Sequence, residues 1–424
     1  MIKILNKIFN NKDNKNYYSK DFEDLNKETK VEKIFELISS FSSSSEIRYV
    51  GGCIRKIINN EKVEDIDLAT NIIPKNICEI LKKNKISFYE SGIDHGTITA
   101  KIDNNKFEIT TLRKDILTDG RHAQVKFSND WYEDASRRDF TFNAIYSDIH
   151  GNLYDPFDGK KDLEYGIVKF IGDPEKRISE DYLRIIRYVR FFLNYSKIDH
   201  DANLKKIIKQ NINGISKISS DRLIDELKKL ILSNGFLKIV KDKFCQEIIG
   251  LIFPQLVNIN IFKNVNDHSK NIIEQKDFIF LISLMIIDGT DNSEYFIYKY
   301  NISNNDKKRI RFLSNIYSNN LNKDLFKEKN LWKIFYYHGK NYLFDLINFK
   351  IFQEKKIDKK LIKLKEFFNN QEVPKFEIKA KTLIEQFNYK EGKELGNKLK
   401  EIEDFWIENS FKITDQELKK IINN

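Results

Sequence analysis

Within residues 26–42 (NKETKVEKIFELISSFS), apolar side chains recur at Val31, Ile34, Phe35 and Ile38. That three-and-four spacing predicts one helix, ended by the serine run from Ser42 to Ser45. The next apolar stretch, IRYVGG (47–52), is too short for a helix and runs into a glycine pair, so it reads as a strand closing in a turn. ISFYESGI (86–93), GTITAKID (96–103) and KFEITTLR (106–113) alternate apolar and polar residues and predict three more strands. Beyond about residue 180 the period changes. EDYLRIIRYVRFFLNY, SDRLIDELKKLILSN, DFIFLISLMIID and KELGNKLKEIEDFWIEN all carry helical spacing. Nine of 16 glycines and three of five prolines occur by position 174. The pattern therefore predicts a turn-rich mixed α/β part followed by a helical remainder, an α+β chain with no solenoid repeat.

Length and composition narrow this picture. With 424 residues, two to four domains are expected. The longest apolar run, Phe278 to Ile287, holds a serine and is too short to cross a bilayer. The first 25 residues are polar and rich in Asn and Lys, which reads as a flexible lead-in without a secretory signal. The three cysteines are far apart, which excludes a disulfide framework and a Cys-rich zinc site and suits a reducing cytoplasm. The six histidines show no metal-ligand spacing. Net charge is +10, which fits a polyanionic partner but also fits a composition crowded with Lys, Asn and Ile. Arginine is more informative: there are 13 against 60 lysines, and ten of the 13 lie between Arg48 and Arg190. Where lysine is the default cation, clustered arginine marks sites that need a planar, multi-donor group.

The candidate chemistry starts at YVGGCIRKIINNEKVEDIDLATN (49–71). Gly51-Gly52 allow a tight turn, and a helix beginning near Cys53 would carry Arg55 in its first turn with its N-terminus towards a phosphate. In Asp65-Ile66-Asp67 the carboxylates share one face of a strand while Ile66 faces the core. Two such charges side by side suit a hard cation such as Mg²⁺, and a solvated surface pair is the plainer alternative. Glu108, between Phe107 and Ile109, could join them from a neighbouring strand or could be an ordinary exposed strand residue.

Together these features resemble the DNA polymerase beta nucleotidyltransferase superfamily. HGTIT (95–99), FEITTLR (107–113), DGRHA (119–123), RRDFTFNA (137–144), DPFDGKKDL (155–163), IGDPEKRISEDYLRIIRYVRF (171–191) and SDRLIDELKKLIL (220–232) then follow in the order of class II CCA-adding tRNA nucleotidyltransferases and bacterial poly(A) polymerases. The resemblance covers about 48–232, with a weaker echo at 373–406. It implies a nucleotidyltransferase head (26–165) with a small mixed sheet, a helical neck for base recognition (166–240), a helical body (241–330) and a tRNA-binding tail (331–424).

The implied activity is template-independent transfer of CMP and AMP from CTP and ATP to the 3′ end of tRNA, with Mg²⁺ as cofactor and no membrane or obligate protein partner. Asp65 and Asp67 would be the metal ligands and Glu108 their assistant. Gly51, Gly52, Arg55, Arg138, Asp139, Asn143, Arg187 and Arg190 would bind the nucleotide. Asp181 and Arg184, three apart and so neighbours on a helix, would read the base edge, or would form a plain ion pair. Asp accepts from cytosine N4 or adenine N6, and Arg donates to cytosine N3 or adenine N1, a pattern guanine and uracil do not match. His122 falls in the segment that resembles the family's flexible loop. Lys56 stands where the family usually has Asp, and the tail has fewer glycines than is usual.

The alternatives are a poly(A) polymerase, a CC-only or A-only enzyme, and a non-catalytic RNA-binding protein. No GRRF-type segment accompanies FYESGIDHGTIT, the loop that CC-adding enzymes lose is present as TDGRH, and no HD-type phosphohydrolase motif occurs.

Overall fold

The structure, a computed structural model, describes residues 18–117, 124–318, 323–354 and 358–423. The chain divides after Ile252 into two compact units.

The first unit is built on a seven-stranded sheet. Its strands are β1 (Ile47–Val50), β2 (Ile66–Thr70), β3 (Ser87–Gly92), β4 (Thr97–Ile102), β5 (Asn105–Thr111), β8 (Tyr146–Ser147) and β9 (Leu153–Tyr154), in the order β3-β4-β5-β2-β1-β8-β9. β6 (Arg113–Leu117) and β7 (Gln124–Phe127) form a separate hairpin. All pairs in the large sheet are antiparallel except β2 with β5, which are parallel with Asp67 opposite Glu108. Alternation places Phe107, Ile109 and Thr111 inside and leaves Glu108 outside.

The predicted helix over 26–42 is two helices, α1 (Ser19–Thr29) and α2 (Glu32–Ser39). Lys30, at φ 59°, takes the left-handed conformation that ends α1, and its N–H is bonded to the Asn26 carbonyl. α1 also starts inside the stretch expected to be a flexible lead-in. Phe22 and Leu25 are apolar at helical spacing and are buried, with the Phe22 ring 5.1 Å from that of Tyr49 on β1. The hydroxyl of Tyr49 donates to Asn26, which in turn donates to the Ile149 carbonyl. These side chains fix the segment to the sheet.

Helices complete the unit: α3 (Gly52–Ile58), α4 (Pro74–Lys83), α5 (Trp131–Ser136), α6 (Gly159–Tyr165), α7 (Pro174–Glu180), α8 (Leu183–Tyr195), α9 (Ala202–Asn211), α10 (Ser220–Ile231) and α11 (Lys243–Ile252). α7 starts at an Asp-Pro pair. The Asp173 side chain accepts from Lys176 N–H, and Pro174 occupies the first turn, where its missing donor costs nothing. Phe140 and Phe142 pack edge-on against Phe191 of α8 at 5.3 and 5.2 Å, which joins that helix to the RRDFTFNA segment.

The second unit is helical throughout its described residues. Phe278–Ile286 is almost wholly buried, and Asp277 caps it by accepting from Phe280 N–H. Arg309 ties Asp277 to the buried Asp345. At the end of the chain, Leu383, Leu395, Ile402 and Ile422 form a small core among Ala380–Phe387, Lys393–Glu408 and Asp415–Asn423. No helix among the described residues is long and apolar enough to cross a membrane. The architecture is the expected α+β one, a mixed-sheet head followed by helices.

Candidate active site

A cavity of about 840 Å³ opens in the first unit. It is lined by twelve of the thirteen residues singled out in the sequence: Gly51, Gly52, Arg55, Asp65, Asp67, Arg138, Asp139, Asn143, Asp181, Arg184, Arg187 and Arg190. The thirteenth, Glu108, stands beside Asp67 in the parallel β2–β5 register.

The glycine turn sets the floor. Gly51 has φ 66° and ψ −109°, a conformation that strains any residue with a Cβ. A Cβ at Gly52 would stand 3.3 Å from the Asp67 carboxylate. α3 has seven residues, and Arg55 is the fourth, at its midpoint. Its buried guanidinium donates to Asn143 Oδ1 and to Tyr195 Oη and lies 4.8 Å from the Phe191 ring centroid. Arg55 thus tethers the glycine turn to RRDFTFNA and α8. Lys56, on the cavity wall, sits 3.7 Å from Glu64.

The acidic wall is Asp65, exposed just before β2, Asp67, half-buried within it, and exposed Glu108. Among the described residues none of these carboxylates forms an ion pair or side-chain hydrogen bond. Burial raises the Asp67 pKa to about 6, the charges of Glu108 and Asp65 add to the rise, and Arg138 and Arg55 oppose it. Clustered carboxylate oxygens that resist ionising together are a donor set suited to a hard divalent cation.

The basic wall follows the opposite rule. Asp134, 1% exposed, accepts from Arg137 at 2.7 Å, from Arg138 at 3.1 Å and from the Tyr146 hydroxyl at 2.7 Å. Burial alone would raise its pKa, but Arg138 and Arg137 hold it well below the usual carboxylate range. Asp139 accepts from Arg187 at 2.6 Å and from Asn143 at 2.8 Å, and it is depressed in the same way, with Arg187 overcoming burial. Glu226, 2% exposed, accepts from Arg190 at 2.5 Å and lies 3.7 Å from Arg187.

Asp181 and Arg184 are not arranged as expected. The predicted continuous helix is interrupted at Asp181, whose extended backbone (φ −152°, ψ 101°) separates α7 from α8. Because Asp181 itself stands outside the helix, its side chain turned back to accept from Leu183 N–H, the three-residue spacing no longer makes the two side chains neighbours. Asp181 accepts from Arg222 of α10 at 2.8 Å, while Arg184 donates to Glu180 at 2.7 Å and to the Arg177 carbonyl at 2.7 Å. The plain i,i+3 ion pair is therefore absent, and both side chains face the cavity separately. Arg187 and Arg190, both on α8, line the same cavity. His122 lies outside the described residues.

Sequence reasoning missed Asp134, Glu180, Arg222 and Glu226. Arg222 had a usable signal, as one of only three arginines after Arg190. Glu226, four residues on, is an acid on the apolar face of α10, between Leu223 and Leu227. Asp134 and Glu180 adjoin quoted motifs, but their pairing depends on tertiary placement.

Residues 47–169 match the family model of the poly A polymerase head domain. Over 236 residues the chain is 40% identical to human CCA tRNA nucleotidyltransferase 1, mitochondrial, covering 54% of this chain and 52% of that protein. It is 34% identical over 267 residues to a CCA-adding enzyme of Staphylococcus epidermidis, covering 62% of this chain and 63% of that one. The chain thus spans between about half and just under two thirds of these curated relatives. Among solved structures, the Bacillus stearothermophilus CCA-adding enzyme in complex with CTP superposes with a TM-score of 0.65 at 20% identity, covering 90% of this chain and 93% of that one. The Thermotoga maritima CCA-adding enzyme complexed with tRNA gives 0.59 at 19% identity, covering 93% and 95%. At these identities the likeness is one of fold.

Proposed function

We propose that this chain, whose residues 47–169 match the poly A polymerase head-domain family model, is a CCA-adding tRNA nucleotidyltransferase. It adds C, C and A to the tRNA 3′ end from CTP and ATP without a nucleic-acid template. The observation that carries this reading is a single cavity in which uncompensated carboxylates stand with an arginine wall that includes two separately held base-reading candidates, Asp181 and Arg184.

The RNA 3′-oxygen attacks the α-phosphorus, the bond to the β-phosphate bridging oxygen breaks, and pyrophosphate leaves. Asp65 and Asp67, with Glu108 beside them, would hold Mg²⁺, which supplies Lewis-acid activation of the hydroxyl and neutralisation of the leaving charge when bound. Arg187 and Arg190, aligned by Asp139 and Glu226, offer guanidinium donors to the triphosphate without rearranging. Arg138 and Asn143 serve the nucleotide next to the Gly51-Gly52 turn. Asp181 accepts from the exocyclic amine of cytosine or adenine, and Arg184 donates to the adjacent ring nitrogen. Arg222 sets the direction of Asp181.

The lysine-rich helices beyond residue 240, which we divide into body and tail, hold tRNA by charge and shape. Free cysteines suit a reducing compartment, and the cytoplasm is the one we propose.

The test is incubation with tRNAs ending before C, after C and after CC, one nucleotide at a time, with and without Mg²⁺. Stepwise C, C, A addition is expected. A long adenosine tract would make it a poly(A) polymerase, growth of only the CC-ended RNA an A-adding enzyme, arrest at CC a CC-adding enzyme, and no metal-dependent turnover an RNA-binding protein.

A further inference from the structure

Away from the cavity, three side chains converge between α8 and α11. His200, in the loop between α8 and α9, places Nε2 3.0 and 3.2 Å from the two carboxylate oxygens of Asp242. The same nitrogen lies 3.7 Å from Cys245 Sγ. Among the described residues this is the one set of three His, Cys, Asp or Glu whose ligand atoms all lie within 4.8 Å of one another. The catalytic carboxylates are more widely spread.

We propose that His200, Asp242 and Cys245 form a zinc site. Tetrahedral zinc has bonds of about 2.0–2.3 Å to N, O and S, which sets its ligands roughly 3.3–3.6 Å apart. The 3.0 and 3.7 Å separations from His200 bracket that range, and all three ligand atoms lie within 4.8 Å of one another, close enough to converge on one ion. A thiolate, an imidazole and a carboxylate also select zinc over Mg²⁺.

The surroundings are built for it. Asp242 Oδ1 already accepts from Cys245 N–H at 2.9 Å, which fixes the carboxylate at the start of α11, and an ion would replace the His200 contact at Oδ2. On the other side of the imidazole, Tyr188 Oη lies 2.8 Å from Nδ1. With zinc on Nε2, Nδ1 carries the proton and donates to Tyr188, the outer hydrogen bond that orients a metal-bound histidine. Phe192 stacks on the imidazole and Phe244 closes its edge. Cys245 is fully buried, whereas the Asp242 side chain is 20% exposed and gives an ion a way in. Binding displaces one proton, from the Cys245 thiol to solvent, and leaves a water in the fourth position. Because Tyr188 is on α8, the site would clamp α11 to the helix that carries Arg184, Arg187 and Arg190. The sequence hid it because His200 is remote from the i,i+3 pair Asp242 and Cys245.

The experiment uses the full chain, stripped with a chelator and titrated with Co²⁺ as a zinc reporter, then with Zn²⁺. We expect one equivalent that gives tetrahedral visible bands and a sulfur-to-cobalt charge-transfer band, both bleached by Zn²⁺. Ions at Asp65 and Asp67 have only oxygen ligands and give no such charge-transfer band. Cys245→Ser should abolish the band, and Tyr188→Phe should weaken Zn²⁺ binding about 10-fold or more while keeping the band. A wild-type chain with no charge-transfer band, or a band that persists in Cys245→Ser, would overturn the site. If Cys245→Ser does not fold, Tyr188→Phe decides: unchanged Zn²⁺ affinity in that variant would place the ion elsewhere and overturn the site.

Discussion

The two walls of the cavity spend their charges in opposite ways. On the acidic side, Asp65, Asp67 and Glu108 face one another with no protein cation bound to any of them among the described residues. On the basic side, Arg137, Arg138, Arg184, Arg187 and Arg190 each hold a carboxylate. The compensation is also graded. Asp134, Asp139 and Glu226 are at most 9% exposed, whereas Asp181 and Glu180, at the end we propose reads the base, are 25% and 36% exposed. The difference teaches that the acidic wall is kept in a state that a cation relieves, while the basic wall is already set. Its grip is firm deep in the cavity and looser at Asp181 and Glu180, the end we propose reads the base.

The sharpest way to break this comparison is to make the same change on each wall. Asp67→Asn should lower nucleotide addition at least about 1,000-fold, roughly 4 kcal/mol of transition-state stabilisation, with no loss of cation-free stability. Asp139→Asn should cost about 3 kcal/mol of stability, because Arg187 loses its buried counter-charge. Initial rates on tRNA lacking CCA and denaturant unfolding of both variants check this. Matching stability losses would erase the distinction between the walls.

The gradient is tested by Arg184→Ala. Its partner Glu180 keeps Arg177 at 2.5 Å, so the fold should hold while the donor to the base ring is lost. Selectivity for CTP over UTP should fall roughly 5- to 150-fold, equivalent to about 1–3 kcal/mol, read as a ratio of kcat/KM values. Unchanged selectivity would return Arg184 to a purely structural role.

The smallest effect is on stability against pH. A raised carboxyl pKa means that folding disfavours the charged form of Asp67. The penalty is therefore fully present above about 6 and fades as pH falls through that value towards the ordinary aspartate range. Without divalent cation, the wild type should gain on the order of 1 kcal/mol relative to Asp67→Asn between about pH 7 and about pH 5, after discounting for solvent. Added Mg²⁺ should flatten the difference. Parallel pH profiles without cation would remove the electrostatic account of the acidic wall.

How much of this could be read in advance follows from the range of each interaction. Asp65 and Asp67 were legible because strand alternation is a two-residue rule, and Ile66 between them is buried as that rule requires. The glycine turn was legible for the same local reason. The Asp181–Arg184 arrangement was not, because one residue leaving helical φ and ψ cancels a spacing argument made along the helix. The division of 26–42 at Lys30 fails the same way. Arg222 and Glu226 come from a helix whose placement against α8 no local period encodes.

The parallel pairing of β2 with β5 also dictates an order of assembly. β5 is inserted between β2 and β4, so a growing chain that has produced Asp65 and Asp67 has only β1 to pair with β2, and the other edge of β2 stays open. Glu108 arrives only after β3 and β4, and α8 with its arginines later still. The site is thus among the last parts of its unit to exist during synthesis. Any fragment ending before β5 is inert and carries an unpaired strand edge of the kind that draws chains together, so premature termination here yields an aggregation hazard instead of a weakened enzyme.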